Sequence, residues 1–98
     1  MKIWVDDIRV APNGYRWCKS VNETIKVILE LEQTDSVDLI DLDHDAGEYV
    51  KDGGDYINIL DWLVENKRNY PIRIHSMNPV GVDNMRRIIQ RNNWVEIK

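Results

Sequence analysis

The chain has 98 residues, of which 43% are hydrophobic and 31% are charged, and its formal net charge is −4. This length predicts one domain over residues 1–98, and the composition excludes a disordered chain. No apolar run approaches the roughly 20 residues that a membrane helix needs. The acidic balance argues against a general affinity for nucleic acids.

The N-terminus and the cysteine content predict a cytoplasmic protein. Asp6, Asp7 and Arg9 interrupt the first apolar stretch, which is unlike the start of a signal peptide. Cys18 is the single cysteine and has no partner for an internal disulfide. We therefore interpret it as a packed thiol in a reducing compartment.

The first half of the chain predicts three strands and a helix. Lys2 to Val5 is short and rich in strand formers, and Tyr15 to Lys19 is a second short strand after the turn signal Asn13-Gly14. Ser20 to Glu23 has the pattern of a capping box and predicts that a helix begins there. Asp38 to Asp43 follows as a strand buried near the centre of a sheet.

The second half predicts two further helices and two strands. Ala46 to Gly54 is a polar loop, and a helix runs from about Asp55 to Lys67. Ile72 to His75 is the next strand. Asn78-Pro79 predicts the start of a third helix, with the asparagine as N-cap and the proline in the first turn. Trp94 to Ile97 is the last strand. Strands that alternate with helices predict a mainly parallel α/β sheet.

Polar residues at the ends of three strands are the main functional signal. One apolar run ends in Asp6-Asp7, a second in Asp43-His44-Asp45, and a third in His75-Ser76. In an open parallel sheet, ligands bind beyond the carboxyl ends of the strands. Because close carboxylates repel one another, such a cluster predicts a cation, a phosphate or a proton-transfer task at this edge.

These strand-end residues resemble the acidic pocket of response-regulator receiver domains. Asp38 to Asp43 is similar to the receiver strand that ends in the phosphoacceptor aspartate, and Ser76 falls where receivers carry Ser or Thr. The sequence also departs from receivers, because the first and last receiver helices are missing. His44 and His75 stand at strand ends where receivers do not normally have histidine.

A resemblance over nearly the whole chain is to the cyclic-phosphate processing receiver domains, a divergent receiver family. It is carried, in chain order, by Asp6-Asp7-Ile8-Arg9 with Pro12, Leu42-Asp43-His44-Asp45 with Gly47, Gly54-Asp55-Tyr56, and His75-Ser76-Met77-Asn78-Pro79-Val80-Gly81. The resemblance implies a three-layer, receiver- or flavodoxin-like α/β fold with three helices and five strands in the order 2-1-3-4-5. It also implies a role in processing or recognising nucleotides with cyclic phosphates, in bacteria and their phages.

Three groups of residues suit such a ligand. Asp6, Asp7 and Asp43 are predicted to bind Mg²⁺ or another divalent cation through oxygen ligands. His44 and His75, together with Asp43, are the predicted catalytic residues, because imidazole can act as acid or base near neutral pH. The predicted ligand-binding residues, which would contact the phosphate or hold it at a helix start, are Arg9, Asp45, Ser76 and Asn78.

Each of these residues also has a purely structural interpretation. Asp6 and Asp7 would then only cap the loop that follows them, and Asp45 would form an Asx turn. His44 would be a surface loop residue. His75 would be a core histidine that holds Asp43 in place. The sequence leaves both interpretations open.

Three functions compete on these residues. The first is a phosphodiesterase that opens a cyclic phosphate, and the second is a protein that sequesters a cyclic nucleotide without turnover. The third is a phosphoacceptor domain, which His44 beside Asp43 disfavours. The expected partner is a small nucleotide with a cyclic phosphate, not a nucleic acid or a membrane. The last strand lies at an uncovered edge, which is consistent with a homodimer.

Overall fold

The computed structural model describes all of residues 1–98. The strands are β1 (Lys2–Val5), β2 (Tyr15–Cys18), β3 (Leu39–Leu42), β4 (Ile72–Ile74) and β5 (Glu96–Ile97). The helices are α1 (Val21–Thr34), α2 (Ile57–Glu65) and α3 (Pro79–Arg91), with a short 3₁₀ helix at Gly47–Lys51 inside the expected loop. No helix is both long and apolar enough to cross a membrane.

The five strands form one fully parallel sheet in the order β2-β1-β3-β4-β5. This order, the three helices and the receiver-like α/β class confirm the prediction from the sequence. β1 lies inside the sheet, where Val5 is in register with Cys18 on one side and with Leu42 on the other. Residues 6–14 connect β1 to β2 without a helix, as expected from the missing first receiver helix.

All three helices pack on the same face of the sheet. Each helix connects a strand to one further along in the same direction across the sheet, and right-handed crossovers then place every helix on one side. One apolar core joins them to alternate strand residues, among them Ile3, Val5, Ile40, Leu42 and Ile72. The number of layers therefore differs from the expected three. The sheet has a helical layer on one face only, because the missing first helix would cover the other.

The opposite face of the sheet carries large aromatic and charged side chains. Trp4 is in register with Trp17 on β2 and with Asp41 on β3, and Asp41 is in register with Arg73 on β4. Side chains in equivalent register on parallel strands point to the same face. Asp41 is nevertheless buried, since side chains rather than a helix cover it.

Local signals in the sequence define the starts of two helices. Ser20 Oγ accepts a hydrogen bond from the backbone N–H of Glu23 at 3.0 Å, while Glu23 Oε1 accepts one from the N–H of Lys19 at 2.6 Å. At α3, Asn78 Oδ1 accepts a hydrogen bond from the N–H of Gly81 at 3.0 Å. Both predicted caps are confirmed, and the second places the start of α3 at the functional edge of the sheet.

Candidate functional site

The backbone ladder brings three of the predicted strand ends together. The N–H of Asp6 donates to the carbonyl of Cys18 at 3.1 Å, and that of Asp43 donates to Val5 at 2.9 Å. The N–H of His75 donates to Leu42, also at 2.9 Å. Pairing thus continues one residue past β1, β3 and β4, so the side chains of Asp6, Asp43 and His75 start from one edge of the sheet.

Asp6 is the centre of a hydrogen-bond network. Its side chain is 1% exposed. Oδ1 accepts hydrogen bonds from the backbone N–H groups of Ile8 and Arg9, both at 2.9 Å. Oδ2 contacts His75 Nε2 at 3.0 Å and Arg9 Nη1 at 3.3 Å. Burial by itself would raise the pKa of Asp6, but the hydrogen bonds from Arg9, Ile8 and His75 together lower it below its ordinary value.

His75 is fixed in place through both nitrogens and one ring face. Nδ1 lies 2.6 Å from Asp41 Oδ1 and Nε2 lies 3.0 Å from Asp6 Oδ2. The imidazole stacks on the indole of Trp4, with ring centroids 3.8 Å apart and planes 6° apart. These three contacts fix the position and the orientation of the ring.

Arg9 presents a cationic group at the same edge. Its Nη1 lies 3.3 Å from Asp6 Oδ2 and 3.4 Å from Asp43 Oδ2, while its backbone carbonyl accepts a hydrogen bond from Trp4 Nε1 at 2.9 Å. The Arg9 side chain is still 48% exposed. Two carboxylates hold the guanidinium and an indole holds the backbone of Arg9, while the guanidinium remains open to an anion from solvent.

Asp7 is the least compensated carboxylate of the acidic cluster. Asp6, Asp7 and Asp43 each offer an oxygen within 4.8 Å of the others. Burial raises the pKa of Asp7, and repulsion from Asp6 and Asp43 adds to this. A side chain at Gly47, which has φ +56°, would overlap the Asp7 carboxylate. The tight turn at this glycine therefore lets the 3₁₀ segment close over the cluster.

The donor set fits a divalent cation at two of the three predicted ligands. Both oxygens of Asp6 already face protein donors, so it offers little to a metal. Asp43 Oδ1 accepts a hydrogen bond from the N–H of His44 at 2.7 Å, which leaves lone pairs free on its carboxylate. Asp7 forms no ion pair with a basic side chain and is the most available ligand of the three.

His44 belongs to a second polar cluster on the other side of Asp43. Its Nδ1 lies 3.0 Å from Asp45 Oδ1, and Asn78 Nδ2 lies 3.3 Å from Asp45 Oδ2. The hydrogen bond from His44 is the main reason that the pKa of Asp45 is lowered. The ring packs closely against Gly81 in the first turn of α3. Its Nε2 has no hydrogen-bond partner within the protein, so this atom is free to meet a ligand.

The predicted residues therefore divide into two groups joined by the Asp43–His44 peptide. The first group surrounds Asp6, and the second surrounds His44. Ser76 supports the second, since its Oγ accepts a hydrogen bond from the N–H of Asn78 at 3.1 Å. The structure thus brings every predicted site residue to one edge of the sheet, while the roles of these residues stay predictions.

Four residues that the sequence prediction did not place at the site also contribute to it. Asp41 and Trp4 hold His75, and Arg73 Nη1 pairs with Asp41 Oδ2 at 3.1 Å. Asp55 accepts a hydrogen bond from the N–H of Ala46 and lies beside His44 and Asp45. A charged residue within a buried strand was the available signal for Asp41. The motif Gly54-Asp55-Tyr56 was the available signal for Asp55.

Comparison with known proteins identifies the family. Residues 1–91 match the family described as the cyclic-phosphate processing receiver domain. No curated protein matches the chain, and no solved structure does. The matched region contains every element except β5, together with both polar clusters at the sheet edge. The chain therefore belongs to the cyclic-phosphate processing receiver domain family.

Proposed function

We propose that this domain hydrolyses a cyclic phosphodiester on a nucleotide, with the phosphate bound beside Arg9. One observation carries the proposal. Asp43 contacts the half-exposed guanidinium of Arg9 through one oxygen and the backbone N–H of His44 through the other. An anion-binding group and an imidazole with a free nitrogen therefore flank a single carboxylate.

The guanidinium matches the charge that develops during the reaction. In the transition state of phosphodiester hydrolysis, negative charge spreads over the phosphate oxygens. Arg9 supplies positive charge in a fixed position, because Asp6, Asp43 and Trp4 hold it. A preorganised donor of this kind stabilises the transition state without reorganising during the reaction.

His44 is the acid–base residue in this proposal. Asp45 accepts a hydrogen bond from Nδ1–H, which leaves Nε2 as the basic nitrogen. His44 Nε2 takes a proton from a water molecule as the water oxygen bonds to phosphorus. One ester P–O bond breaks, and the proton passes from His44 to the leaving alkoxide. The product is a linear phosphomonoester, and the only atoms added are those of water.

His75 acts as a positioning residue, since both of its nitrogens already contact carboxylates. It fixes Asp6, which in turn fixes Arg9. A divalent cation held by Asp7 and Asp43 would add positive charge beside the phosphate oxygens. We place this activity in the cytoplasm of bacteria or of cells infected by their phages, the setting that the family resemblance implies.

The contacts of Asp43 disfavour the phosphoacceptor alternative. One oxygen accepts the N–H of His44 and the other faces Arg9, and the side chain is 14% exposed. A phosphoryl donor would have to displace one of these contacts. Sequestration without turnover uses the same groups as hydrolysis, so the decisive measurement is product formation.

The test is an incubation of the protein with 2′,3′-cyclic and 3′,5′-cyclic mononucleotides and with cyclic dinucleotides, with and without Mg²⁺. Phosphorus NMR follows conversion to the linear monoester. We expect His44→Asn to lower turnover by roughly 10²–10⁴-fold, and Arg9→Ala to lower both binding and turnover. Arg16→Ala is the matched control, because Arg16 is an exposed arginine on β2 away from the strand ends.

Unchanged nucleotides after long incubation, under conditions where calorimetry shows binding, would refute hydrolysis. That result would leave a sequestering protein. Loss of turnover in Arg16→Ala equal to that in Arg9→Ala would show that the effect of Arg9→Ala is not specific to the site.

A further inference from the structure

A depression of about 480 Å³ opens from the phosphate site onto the helix-free face of the sheet. The residues that line it include Trp4, Arg9, Arg73, His75, Ser76 and Met77. We propose that this depression binds the nucleobase of the cyclic nucleotide, so that the substrate is recognised through its base as well as its phosphate. This inference rests on the proposed function, because it takes the phosphate to be bound at Arg9.

The depression is continuous with the phosphate site. Arg9 and His75 belong to both, since Arg9 Nη1 contacts Asp6 and Asp43 while Arg9 also lines the depression. The volume lies within the range of roughly 300–1,000 Å³ that is usual for small-molecule sites. One nucleotide can therefore reach Arg9 with its phosphate and the depression with its base.

The walls of the depression offer planar and polarizable surfaces. Trp4 stacks on His75 with ring planes 6° apart, which fixes the indole in the wall. Arg73 is 42% exposed and is held by Asp41 at 3.1 Å. Met77 is 86% exposed. Indole and imidazole rings and guanidinium planes stack on bases, and a thioether adapts to aromatic surfaces.

The two exposed guanidinium groups of the depression suit an anionic nucleotide. Two arginines line it. Both are paired with carboxylates, Arg73 with Asp41 and Arg9 with Asp6 and Asp43, but each guanidinium is still roughly half exposed. The chain as a whole is acidic, with a net charge of −4, so two exposed guanidinium groups beside an indole are a local feature of this face.

The test compares ligands that have the same cyclic phosphate with and without a base. The probes are the 2′,3′-cyclic monophosphates of adenosine and cytidine, and the base-free 2,3-cyclic phosphate of 1-O-methylribose. Calorimetry measures binding and phosphorus NMR measures turnover. We expect the wild-type protein to bind at least one of the two nucleotides 10-fold or more tightly than the base-free probe.

Met77→Glu tests the location of the base. It places a negative charge at the rim, at a position exposed enough to leave the fold intact, and we expect the preference for the nucleotide over the base-free probe to fall about 10-fold. Met77→Leu should keep most of that preference. Val64→Glu is the matched control, because Val64 is an exposed apolar residue on α2, outside the depression.

The outcomes separate this inference from the proposed function. Equal affinities of the base-free probe and both nucleotides would overturn the base site, whether or not hydrolysis occurs. An unchanged preference in Met77→Glu would also overturn it. Base-dependent binding without any product would instead overturn hydrolysis and leave the base site standing.

Discussion

The close contact between Gly81 and the ring of His44 makes a single methyl group a probe of the proposed acid–base residue. A Cβ at Gly81 would lie 2.6 Å from Cδ2 and 2.9 Å from Nδ1 of His44. Ordinary carbon contacts are about 3.5–4.0 Å. The ring in Gly81→Ala therefore has to move by about 1 Å, and a misplacement of that size can lower a rate about 10²-fold.

The same substitution has a small effect on stability. Gly81 lies in the first turn of α3. Replacing glycine by alanine in a helix stabilises the folded state by about 1 kcal/mol. Weakening the hydrogen bond between His44 and Asp45 would cost about 1 kcal/mol. We therefore expect the free energy of unfolding of Gly81→Ala to stay within about 1 kcal/mol of the wild type while turnover falls.

A double-mutant cycle measures the contact itself. His44→Ala removes the ring, so Gly81→Ala should stabilise that background by the full helix contribution of about 1 kcal/mol. Urea unfolding of the four proteins gives the coupling energy, which we expect to be about 1 kcal/mol or more. Gln90→Ala, at an exposed position in α3, controls for helix propensity. Strictly additive effects, or full turnover in Gly81→Ala, would refute the role given to this contact and to His44.

Three further predictions address the carboxylates and Trp4. The pKa of Asp6 is lowered in the folded state, so its stabilising contribution is present above its ordinary pKa and is lost as the pH falls below about 4. Urea unfolding between pH 7 and 3 should show this loss of stability. The stability of Asp6→Asn should depend less on pH over the same range. Because the pKa of Asp7 is raised, Asp7→Asn should increase the melting temperature at pH 7 without metal. The same variant should abolish any increase in melting temperature that millimolar Mg²⁺ causes in the wild type. An unchanged melting curve in both tests would contradict the cation site. Trp4→Phe keeps a ring against His75 but loses the donor to Arg9, so turnover should fall while stability changes by about 1 kcal/mol; equal turnover would show that Arg9 does not need this anchor.

The helices, the caps and the convergence at the sheet edge could be predicted because their signals are local. Ser20 and Asn78 predict helix starts because their side chains accept hydrogen bonds from the first backbone N–H groups of the helix. The end of each apolar run predicts the end of a strand. α2 begins at Ile57 rather than near Asp55, and the Asp55 carboxylate accepts the N–H of Ala46 instead of capping the helix. The extent of an element depends on such tertiary contacts, which a local pattern does not contain.

The partners of the site residues could not be predicted because they are distant in the chain. His75 contacts Asp41 and Asp6, which lie 34 and 69 positions away in sequence, and no periodicity encodes which carboxylate meets which nitrogen. The single helical layer could have been predicted from the order of the strands. Three crossovers in the same direction imply one face, whereas the receiver resemblance alone suggested two covered faces.

The helix-free connection between β1 and β2 has a consequence for the order in which the chain folds. Parallel strands usually need a crossover of a dozen or more residues, but here residues 6–14 are enough to connect β1 to β2. Pairing of β1 with β3 closes a longer loop, because it brings Lys2 into register with Leu39. Closing the longer loop costs about 1 kcal/mol more in chain entropy, and β4 reaches the β1–β2 pair only through its pairing with β3. The loop that carries Asp6 and Arg9 can thus form on the β1–β2 pair before His75 makes its contact with Asp6.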